Sequence, residues 1–466
     1  MTSTKLKILP IAAILIGTSC SSSPKESNEG FSGKAGEVKL ITLDPGHFHA
    51  ALVQKNSYSQ VDNKVYVYAP EGKELEDHLA KIESYNNRAE NPTHWEEIVY
   101  KGNDFIDKMI SEKKGNVMVT AGNNRKKTEY IKKTLEAGIN ILADKPMAIN
   151  STNFNMLLEC FEIAKQKNVM LYDIMTERHE ITTILQKELS ELPDIYGEQL
   201  KGSADDPAII KESVHMFLKE VSGSPLIRPA WFFDVEQQGE GIADVMTHLV
   251  DLVQWEAFPE QILDYKKDIN IIEAKRWTTP ISREDFKKVT ALDNYPDFLQ
   301  KDVENDTLKV YANGSIVYKL KDITAKVSVL WHYKSAEGGG DSHFSVMKGS
   351  KANLVIRQGK EQNFIPQLYI EAVEGLDMKE YEKALSNSMK TISSSFPGVN
   401  LTKQNDGVWL VNIPDKYRVG HEAHFGQVTE NFLEYLKDGK LPDWEVPNMI
   451  AKYYTTTKAL DLAKEE

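Results

Sequence analysis

Two residues that could carry acid–base chemistry, Asp244 and His248, are four positions apart in a segment whose apolar residues recur at helical spacing. On a helix, residues four apart share one face, so the Asp244 carboxylate would lie near the His248 imidazole. An imidazole changes its charge near neutral pH and can accept the proton of a hydroxyl group. Asp251 adds a further polar side chain about one turn later. The alternative interpretation is an amphipathic helix in which His248 is a hydrogen-bonded core residue.

Lys145 stands about a hundred residues earlier, in Asp144-Lys145-Pro146, directly after a run of residues typical of a buried strand. A lysine at the carboxyl end of a parallel strand can hold a hydroxyl group or relay a proton. Pro146 restricts Lys145 to extended backbone and allows a cis peptide bond between the two residues. The alternative is a solvated lysine at the beginning of a helix.

The turn after the first predicted strand, Asp44 to His49, is where a doubly wound fold binds the pyrophosphate of a dinucleotide. Only the middle glycine of the G-x-G-x-x-G fingerprint, Gly46, is present, and it would let the backbone approach the phosphates. We therefore predict cofactor contacts from Gly46, His47 and Phe48. Asp44 would repel a phosphate, and an ordinary turn with surface histidines is the alternative.

Three other residues complete the predicted cofactor site. Glu71, shortly after the second strand, is the candidate acceptor for a ribose hydroxyl, and no arginine stands beside it to bind a 2′-phosphate. Gly122 and Asn123 form the loop after a later strand. The predicted cofactor is NAD or NADP, with NAD favoured.

The elements that would position these residues follow two patterns. Between Val38 and Arg178, short β-branched runs alternate with amphipathic helices, which is typical of parallel strands joined by crossover helices. Residues 38–178 are therefore predicted to form a doubly wound Rossmann domain of the α/β class. One of its helices is predicted from Lys126 to Ala137, with Gly138 ending it.

Residues 179–466 carry more signals of antiparallel strands. They are predicted to form an α+β domain, for substrate binding and oligomerisation, with a large, mostly antiparallel open sheet. Asn313-Gly314, between two β-branched runs, predicts a two-residue hairpin turn. The stretch from about Asp264 to Asp306 has weak periodicity and is interpreted as an insertion or a long connection. An open sheet face would suit a homo-oligomer.

The segment from Ala121 to Pro146 resembles the glucose-fructose oxidoreductase / inositol dehydrogenase (Gfo/Idh/MocA) family, in which it ends in Glu-Lys-Pro where this chain has Asp144-Lys145-Pro146. The same family has an Asp-x-Gly-x-His-x-x-Asp pattern, which Asp244, His248 and Asp251 match in the family's order. Met246 replaces the glycine of that pattern, and a methionine there would narrow the pocket.

The resemblance implies an NAD(P)-dependent oxidoreductase that acts on a hydroxyl group of a sugar, cyclitol or glycoside. His248 would be the acid–base and Lys145, beside the nicotinamide and the substrate, the positioning or relay group. Asp244 would be a partner in the hydroxyl network and, with His248, a substrate ligand. Arg178, where the chain leaves the nucleotide domain, would contact substrate or form an ion pair at the domain interface.

Residues 1–20 have the pattern of a secretory signal, in which Lys5 and Lys7 precede an apolar run and small residues lead to Cys20. This segment resembles a bacterial lipoprotein signal, so residues 1–19 are predicted to be removed and Cys20 to carry the lipid. Residues 20–37 would form a polar tether. The chain is thus expected to be exported and lipid-anchored to a bacterial membrane, facing the periplasm or the cell surface. An ordinary signal with a chance cysteine is the alternative.

The composition is that of a globular protein. Of its 466 residues, 41% are hydrophobic, a content that excludes a disordered chain. The formal net charge is −13. Loss of residues 1–19 would remove two lysines and no acids and make the charge −15, which disfavours a nucleic-acid partner. Cys160 would then be the single cysteine, and its apolar neighbours predict a buried thiol. No metal site is predicted, because the pair His421 and His424 lacks further ligands.

Export would constrain the mechanism. No twin arginine precedes the apolar run, so the chain is expected to cross the membrane unfolded, into a compartment where free NAD is scarce. A tightly held cofactor, regenerated within each catalytic cycle, fits this situation. One alternative is a redox-neutral NAD-dependent glycosidase or lyase. Another is a non-catalytic carbohydrate-binding lipoprotein on a degenerate dehydrogenase fold, which the incomplete glycine fingerprint favours and the presence of Lys145 and His248 opposes.

Overall fold

A computed structural model of the chain describes residues 30–221, 224–335 and 339–465. The predictions for the signal, for Cys20 and for the first part of the tether lie outside the described residues. Within the described ranges, no helix has both the length and the apolar character needed to cross a membrane.

The first sheet has six strands: β1 (Leu40–Leu43), β2 (Lys64–Ala69), β3 (Glu96–Lys101), β4 (Val117–Thr120), β5 (Asn140–Asp144) and β6 (Leu171–Ile174). They are all parallel and lie in the order β3-β2-β1-β4-β5-β6. The central strands β1, β4 and β5 are buried along their whole length, as expected for strands covered on both faces. The order reverses between β1 and β4, where this fold opens a crevice at the carboxyl ends of its strands. The predicted Rossmann-type sheet is confirmed.

Five helices connect these strands: α1 (His49–Leu52), α2 (Lys73–Asn87), α3 (Phe105–Glu112), α4 (Lys127–Glu136) and α5 (Ser151–Lys167). α4 ends as predicted, because Gly138 adopts a φ of +77°, in the left-handed region that terminates helices. Cys160 of α5 is buried, and burial raises the pKa of its thiol to about 12. This cysteine is therefore a core residue rather than a nucleophile.

The second sheet has ten strands: β7 (Ile209–Met216), β10 (Ile269–Ser282), β11 (Val303–Glu304), β12 (Thr307–Leu320), β13 (Ile323–His332), β14 (Ser342–Lys348), β15 (Ala352–Gln358), β16 (Gln367–Ala372), β17 (Asn400–Asn405) and β18 (Val408–Asn412). Two short strands, β8 (Glu220–Val221) and β9 (Ser224–Pro225), pair separately. The large sheet runs β10-β12-β13-β7-β14-β15-β16-β18-β17, with β11 beside β12. Its neighbours are antiparallel except β13 and β7, which confirms the predicted sheet type.

The helices of this half are α6 (Ile181–Ser190), α7 (Val235–Gln238), α8 (Met246–Ala257), α9 (Arg283–Thr290), α10 (Met378–Ser395), α11 (His421–Asp438) and α12 (Glu445–Glu465). α11 and α12 return to the first sheet, where Phe432 stacks on Tyr172 of β6 with ring centroids 6.1 Å apart. Lys452 of α12 is buried between Asp173 of β6 (2.8 Å) and Asp251 of α8 (2.9 Å). α12 therefore links β6 of the first sheet to α8 through buried charge.

The predicted hairpin turn at Asn313-Gly314 is wrong, because β12 continues through both residues. A Cβ on Gly314 would lie 2.4 Å from Cγ1 of Ile242, so the glycine allows a close contact. The Asn313 amide donates to the Trp277 carbonyl (3.1 Å) and to the Thr279 hydroxyl (2.8 Å), where the register of β10 shifts. The two residues therefore lie within a long strand, opposite a bulge, and do not form a turn.

The interpretation of residues 264–306 as an insertion or connection is also wrong. This stretch supplies α9 and the 14-residue β10, which is an edge strand of the second sheet. Two register shifts, between Ile271 and Glu273 and between Trp277 and Thr279, interrupt its pairing with β12. Bulges break the two-residue alternation, which is why the sequence shows weak periodicity there.

Two buried histidines are expected to make the fold sensitive to acid. His78 of α2 and His424 of α11 are each 3% exposed, and none of their ring nitrogens has a hydrogen-bond partner among the described residues. Burial lowers the pKa of each to about 4. An unfolded histidine titrates near pH 6.5, so the unfolded state binds the proton first as the pH falls. Stability is therefore expected to decrease from about pH 6.5 towards pH 4.

The substitution His78→Leu is expected to remove part of this acid sensitivity. The loss of unfolding free energy between pH 7.5 and pH 5 should be about 2 kcal/mol smaller than in the unmodified chain, since one proton-uptake difference is gone. Urea unfolding at both pH values measures this. Ile82→Val, in the buried face of the same helix, changes packing but no titrating group and should lower stability equally at both. An unaltered pH dependence in His78→Leu would show that His78 is not held neutral by the fold.

Candidate active site

The described part of the chain contains a cavity of about 530 Å³, which we call the cleft. One wall follows the carboxyl ends of β1, β4, β5 and β6, and the other is formed by β7, β13 and β14 of the second sheet. Seven of the chain's eleven histidines line it: His47, His49, His215, His248, His343, His421 and His424. Such a wall is suited to proton transfer or to metal binding.

Lys145 and Asp244 meet in the cleft although they belong to different halves of the chain. Lys145 follows β5 and is joined to Pro146 by a cis peptide bond. Its Nζ donates to Oδ1 of Asp244 at 2.7 Å, and the two side chains are 11% and 8% exposed. The other oxygen of Asp244 accepts from the Gln238 amide at 2.9 Å. Lys145 is thus held in a fixed position rather than solvated.

His248 lies on the first turn of α8 and faces the same cleft. Its Nδ1 is buried and has no hydrogen-bond partner among the residues that the structure describes. Burial, together with the nearby positive Lys145, lowers the pKa of His248 to about 3. The imidazole is therefore neutral and able to accept a proton.

The structure modifies the expected relation between Asp244 and His248. α8 begins at Met246, so Asp244 stands in the turn before the helix and pairs with Lys145 and Gln238 instead of orienting His248. Met246 is fully buried in the core below the cleft and does not narrow the pocket as expected.

A smaller cavity, of about 180 Å³, lies outside the ends of β1, β2 and β4, and we call it the crevice. Gly46, Glu71 and Asn123 line it together with Trp231. A Cβ on Gly46 would lie 3.4 Å from the Cα of Gly122, which itself lines the cleft, so the two cavities share this wall. The predicted cofactor residues are therefore divided, with His47, Phe48, Gly122 and Lys145 on the cleft side.

The residues of the crevice fit a dinucleotide that enters the cleft past Gly46. Gly46 has no side chain to block the passage, and the exposed Glu71 offers acceptors for ribose hydroxyls. The Asp44 carboxylate accepts from the Tyr130 hydroxyl (3.2 Å), and burial raises its pKa, which reduces the repulsion expected towards a phosphate. One feature departs from the predicted approach of the backbone to the phosphates. The amides of Gly46 and His47 already donate to protein carbonyls, those of Asp44 (2.8 Å) and Ala121 (3.1 Å).

Arg178 is not among the residues that line the cleft, and its side chain pairs with buried carboxylates instead of facing the predicted substrate. Its guanidinium donates two hydrogen bonds to Asp251 (2.6 and 2.7 Å) and one to Glu445 (2.8 Å). Burial alone would raise the pKa of Asp251, but Arg178 and Lys452 together hold it below its usual range. The structure thus shows the ion pair that was the alternative interpretation, with Arg178 between buried carboxylates on α8 and α12.

Arg178→Met is expected to lower the free energy of unfolding by about 3–5 kcal/mol, because it leaves Glu445 and Asp251 buried with less compensating charge. Denaturant unfolding measures the change. Lys73→Met, which removes an exposed ion pair with Asp77 (3.0 Å), should have a much smaller effect. If Arg178→Met instead changed substrate KM while stability stayed constant, Arg178 would act on substrate after all.

Several cleft residues carry no motif that a sequence could reveal. Arg228 stacks over Phe232 (4.6 Å) and Trp331 (5.4 Å), and burial lowers its pKa to about 10. Trp331 lines the cleft and stacks on His215, with ring centroids 4.9 Å apart. Arg228 could not be found from its neighbours in sequence, since its guanidinium is held by a distant residue, the carbonyl of Met216 in β7, at 3.2 Å.

The structure also groups three residues that the sequence prediction did not bring together, His47, His49 and Asp144. Nδ1 of His49 lies 3.0 Å and Nδ1 of His47 3.8 Å from Oδ2 of Asp144. Burial lowers the pKa of both imidazoles. The His-x-His spacing was visible in the sequence, but Asp144 is brought to it only by the neighbouring ends of the strands.

Two families match the chain in succession. The oxidoreductase family described by its NAD-binding Rossmann fold (Gfo/Idh/MocA) matches residues 46–173, and the oxidoreductase C-terminal domain family matches residues 185–464. No curated protein matches the chain significantly.

Among solved structures, that of a Parabacteroides merdae protein assigned as an oxidoreductase is 71% identical, with a TM-score of 0.93, over 94% of this chain and 100% of the other. Levoglucosan dehydrogenase in complex with NADH is 12% identical, with a TM-score of 0.59, over 92% and 97% of the two chains. KijD10, a 3-ketoreductase from Actinomadura kijaniata in complex with NADP and TDP-benzene, is 10% identical, with a TM-score of 0.53, over 89% and 94%. The last two share the fold of this chain.

Proposed function

Since the chain belongs to the Gfo/Idh/MocA oxidoreductases, which have an NAD-binding Rossmann fold, we propose that it uses NAD(P) to oxidise a hydroxyl group of a sugar, cyclitol or glycoside. The observation that carries this proposal is the meeting of Lys145, Asp244 and His248 in one cleft next to the dinucleotide crevice. The names of the structural neighbours support this proposal, because one is a levoglucosan dehydrogenase, which acts on a sugar, and another is a 3-ketoreductase, a related redox enzyme.

Oxidation of an alcohol requires a proton acceptor at the hydroxyl oxygen and an acceptor for the hydrogen on carbon. When bound, the nicotinamide supplies the second of these. The neutral His248 accepts the hydroxyl proton, and its low pKa keeps the imidazole unprotonated throughout the neutral range.

Lys145 positions the substrate oxygen. Its Nζ has one donor directed at Asp244 at 2.7 Å and two further donors available towards the cleft. An ammonium fixed in this way stabilises the negative charge that develops on the oxygen as its proton leaves. Asp244 acts through Lys145, because it holds the ammonium rather than the imidazole.

The opposite wall suits a carbohydrate. Trp331 and His215 present stacked rings, Arg228 adds donors, and Asp341, 3.6 Å from His215, adds acceptors. Sugars bind through such a combination of apolar ring faces and several directed hydrogen bonds.

Nucleotide binding is the first test. Nucleotide released from the purified chain by acid is identified by mass, and the stripped chain is titrated with NAD⁺ and NADP⁺ while tryptophan fluorescence is followed. Trp231 borders Gly46 in the crevice, so Trp231→Phe should lose part of the fluorescence change. Trp277→Phe, an exposed residue outside the crevice, should retain it. If no nucleotide is released and neither dinucleotide binds, the non-catalytic carbohydrate-binding alternative is the correct one.

The substrate class is tested by supplying free sugars, cyclitols and glycosides and following the absorbance of the reduced nicotinamide. Oxidation of at least one class is expected, and turnover with none of them would contradict the proposed reaction.

We propose further that the cofactor stays bound and is reoxidised within each cycle, which rests on the export signal expected from residues 1–20. A chain dialysed free of external nucleotide should then turn over repeatedly with a sugar donor and a keto-sugar acceptor. A strict requirement for added NAD(P) would contradict recycling and leave the oxidoreductase assignment unchanged.

A further inference from the structure

Three potential metal ligands converge at the floor of the cleft. His47 and His49 flank Phe48 at the beginning of α1, and Asp144 is the last residue of β5. One ligand atom from each residue lies within 4.8 Å of the other two. The ligand nitrogens and oxygens around a zinc ion, about 2.0–2.2 Å from the metal, lie roughly 3–3.5 Å from one another. The observed separations of 3.0 and 3.8 Å from the Asp144 oxygen are close to this arrangement.

The hydrogen bonding of the group is incomplete in a way that a cation would satisfy. Nδ1 of His47 is buried and has no partner among the residues described, although it lies near the Asp144 carboxylate. Nδ1 of His49 approaches the same carboxylate oxygen, Oδ2. Two imidazole nitrogens thus converge on one carboxylate oxygen, and only Nδ1 of His49, at 3.0 Å, lies within hydrogen-bond distance of it. A metal ion between the three residues would engage both nitrogen lone pairs and the negative charge.

The surrounding residues hold the group in place. Lys127, which is buried, donates to the backbone carbonyl of Asp144 at 2.9 Å and fixes the end of β5. Phe425 of α11 packs against the His49 ring with centroids 4.6 Å apart. Ligands whose orientation is fixed by neighbours in this way lose little entropy when an ion binds.

We propose that His47, His49 and Asp144 bind a divalent transition-metal ion such as Zn²⁺. Two imidazoles and one carboxylate favour transition metals over Mg²⁺ and Ca²⁺, which prefer oxygen ligands. Three protein ligands leave at least one coordination position open, as in catalytic metal sites. All three residues line the cleft beside Lys145, so the open position faces the place where a substrate oxygen would bind. This site goes beyond the proposed oxidation and does not depend on it.

The test measures metal binding directly. The full chain without an affinity tag is treated with chelator, dialysed and titrated with Zn²⁺ by calorimetry, and bound zinc is counted by mass spectrometry of the metal content. One tight site per chain is expected. His47→Gln and Asp144→Asn should each lower the zinc affinity at least about 100-fold. Loss of a residue that only hydrogen-bonds to a ligand lowers metal affinity by up to about 100-fold, so loss of a ligand itself should cost at least as much. Asp144→Asn preserves the size of the side chain, and His47→Gln removes a nitrogen that has no hydrogen bond to lose.

His424→Gln is the matched control, since His424 lines the same cleft outside the group. It should bind zinc as the unmodified chain does. Absence of a tight site, or equal zinc binding in His47→Gln and Asp144→Asn, would overturn the proposal, as would loss of zinc in His424→Gln alone. NAD⁺ titration of the same zinc-free samples separates the two proposals, because nucleotide binding and metal binding are then measured independently.

Discussion

Replacing His248 by glutamine is expected to lower kcat about 10²–10⁴-fold, the range that a positioned acid–base group contributes. Glutamine retains a polar side chain of similar reach but cannot accept the hydroxyl proton at neutral pH. The ring nitrogen it replaces has no hydrogen-bond partner among the described residues, so its removal should cost little stability. Steady-state kinetics with the best substrate found, at saturating nucleotide, measures the change.

Nucleotide affinity in His248→Gln should change little, because His248 does not line the crevice, where the ribose and phosphate contacts are expected. His332→Gln serves as control, since this exposed histidine at the end of β13 lies outside the cleft. Undiminished turnover in His248→Gln would remove His248 from the mechanism. Loss of nucleotide binding along with turnover would assign the residue to the cofactor site instead.

Replacing Lys145 by methionine is expected to lower kcat about 10²–10³-fold, the loss that follows removal of one donor to a developing oxyanion. Methionine fills a similar volume but leaves the developing charge on the substrate oxygen without its ammonium. It also leaves the Asp244 carboxylate, 8% exposed, without its 2.7 Å partner. A reduction in stability is therefore expected together with the reduction in kcat.

A double-mutant cycle with Asp244→Asn tests how the pair works. If Asp244 acts by holding Lys145, the double variant should be no slower than Lys145→Met alone, since the effects of residues that act as a unit do not add. Additive losses would instead give Asp244 a role of its own at the substrate. Lys219→Met, which removes another cleft lysine, one bound to Asp341 at 2.6 Å, should affect kcat far less.

The Rossmann sheet and the type of the second sheet could be predicted from the sequence because their patterns are local. Apolar runs such as Leu40–Leu43 and Val117–Thr120 indicate strands buried on both faces wherever they occur. Gly138 ends α4 through its own conformational freedom. Local patterns failed in β10 and at Asn313-Gly314, where bulges and cross-strand contacts replace the usual alternation.

The site was predictable where a short segment carries its own chemistry. Lys145, Asp244 and His248 were recognised from two segments about a hundred residues apart, and the structure brings all three to the cleft. Arg178 was assigned to substrate because its sequence position borders the nucleotide domain. Its burial between α8 and α12 could not be foreseen, because Glu445 is far away in the sequence.

By itself the sequence determined which elements form, which residues can donate or accept protons, and that the chain carries a nucleotide-binding fold. These features could be predicted because periodicity is a property of neighbouring residues and proton transfer is a property of the side chain itself. Only the tertiary structure decided that Asp244 serves Lys145, that Arg178 serves the core, and that Asp144 joins His47 and His49. These pairings depend on which strand ends and helices meet in space. Burying an unpaired charge costs free energy, so each buried charge lies next to a partner, and that partner can be far away in the sequence.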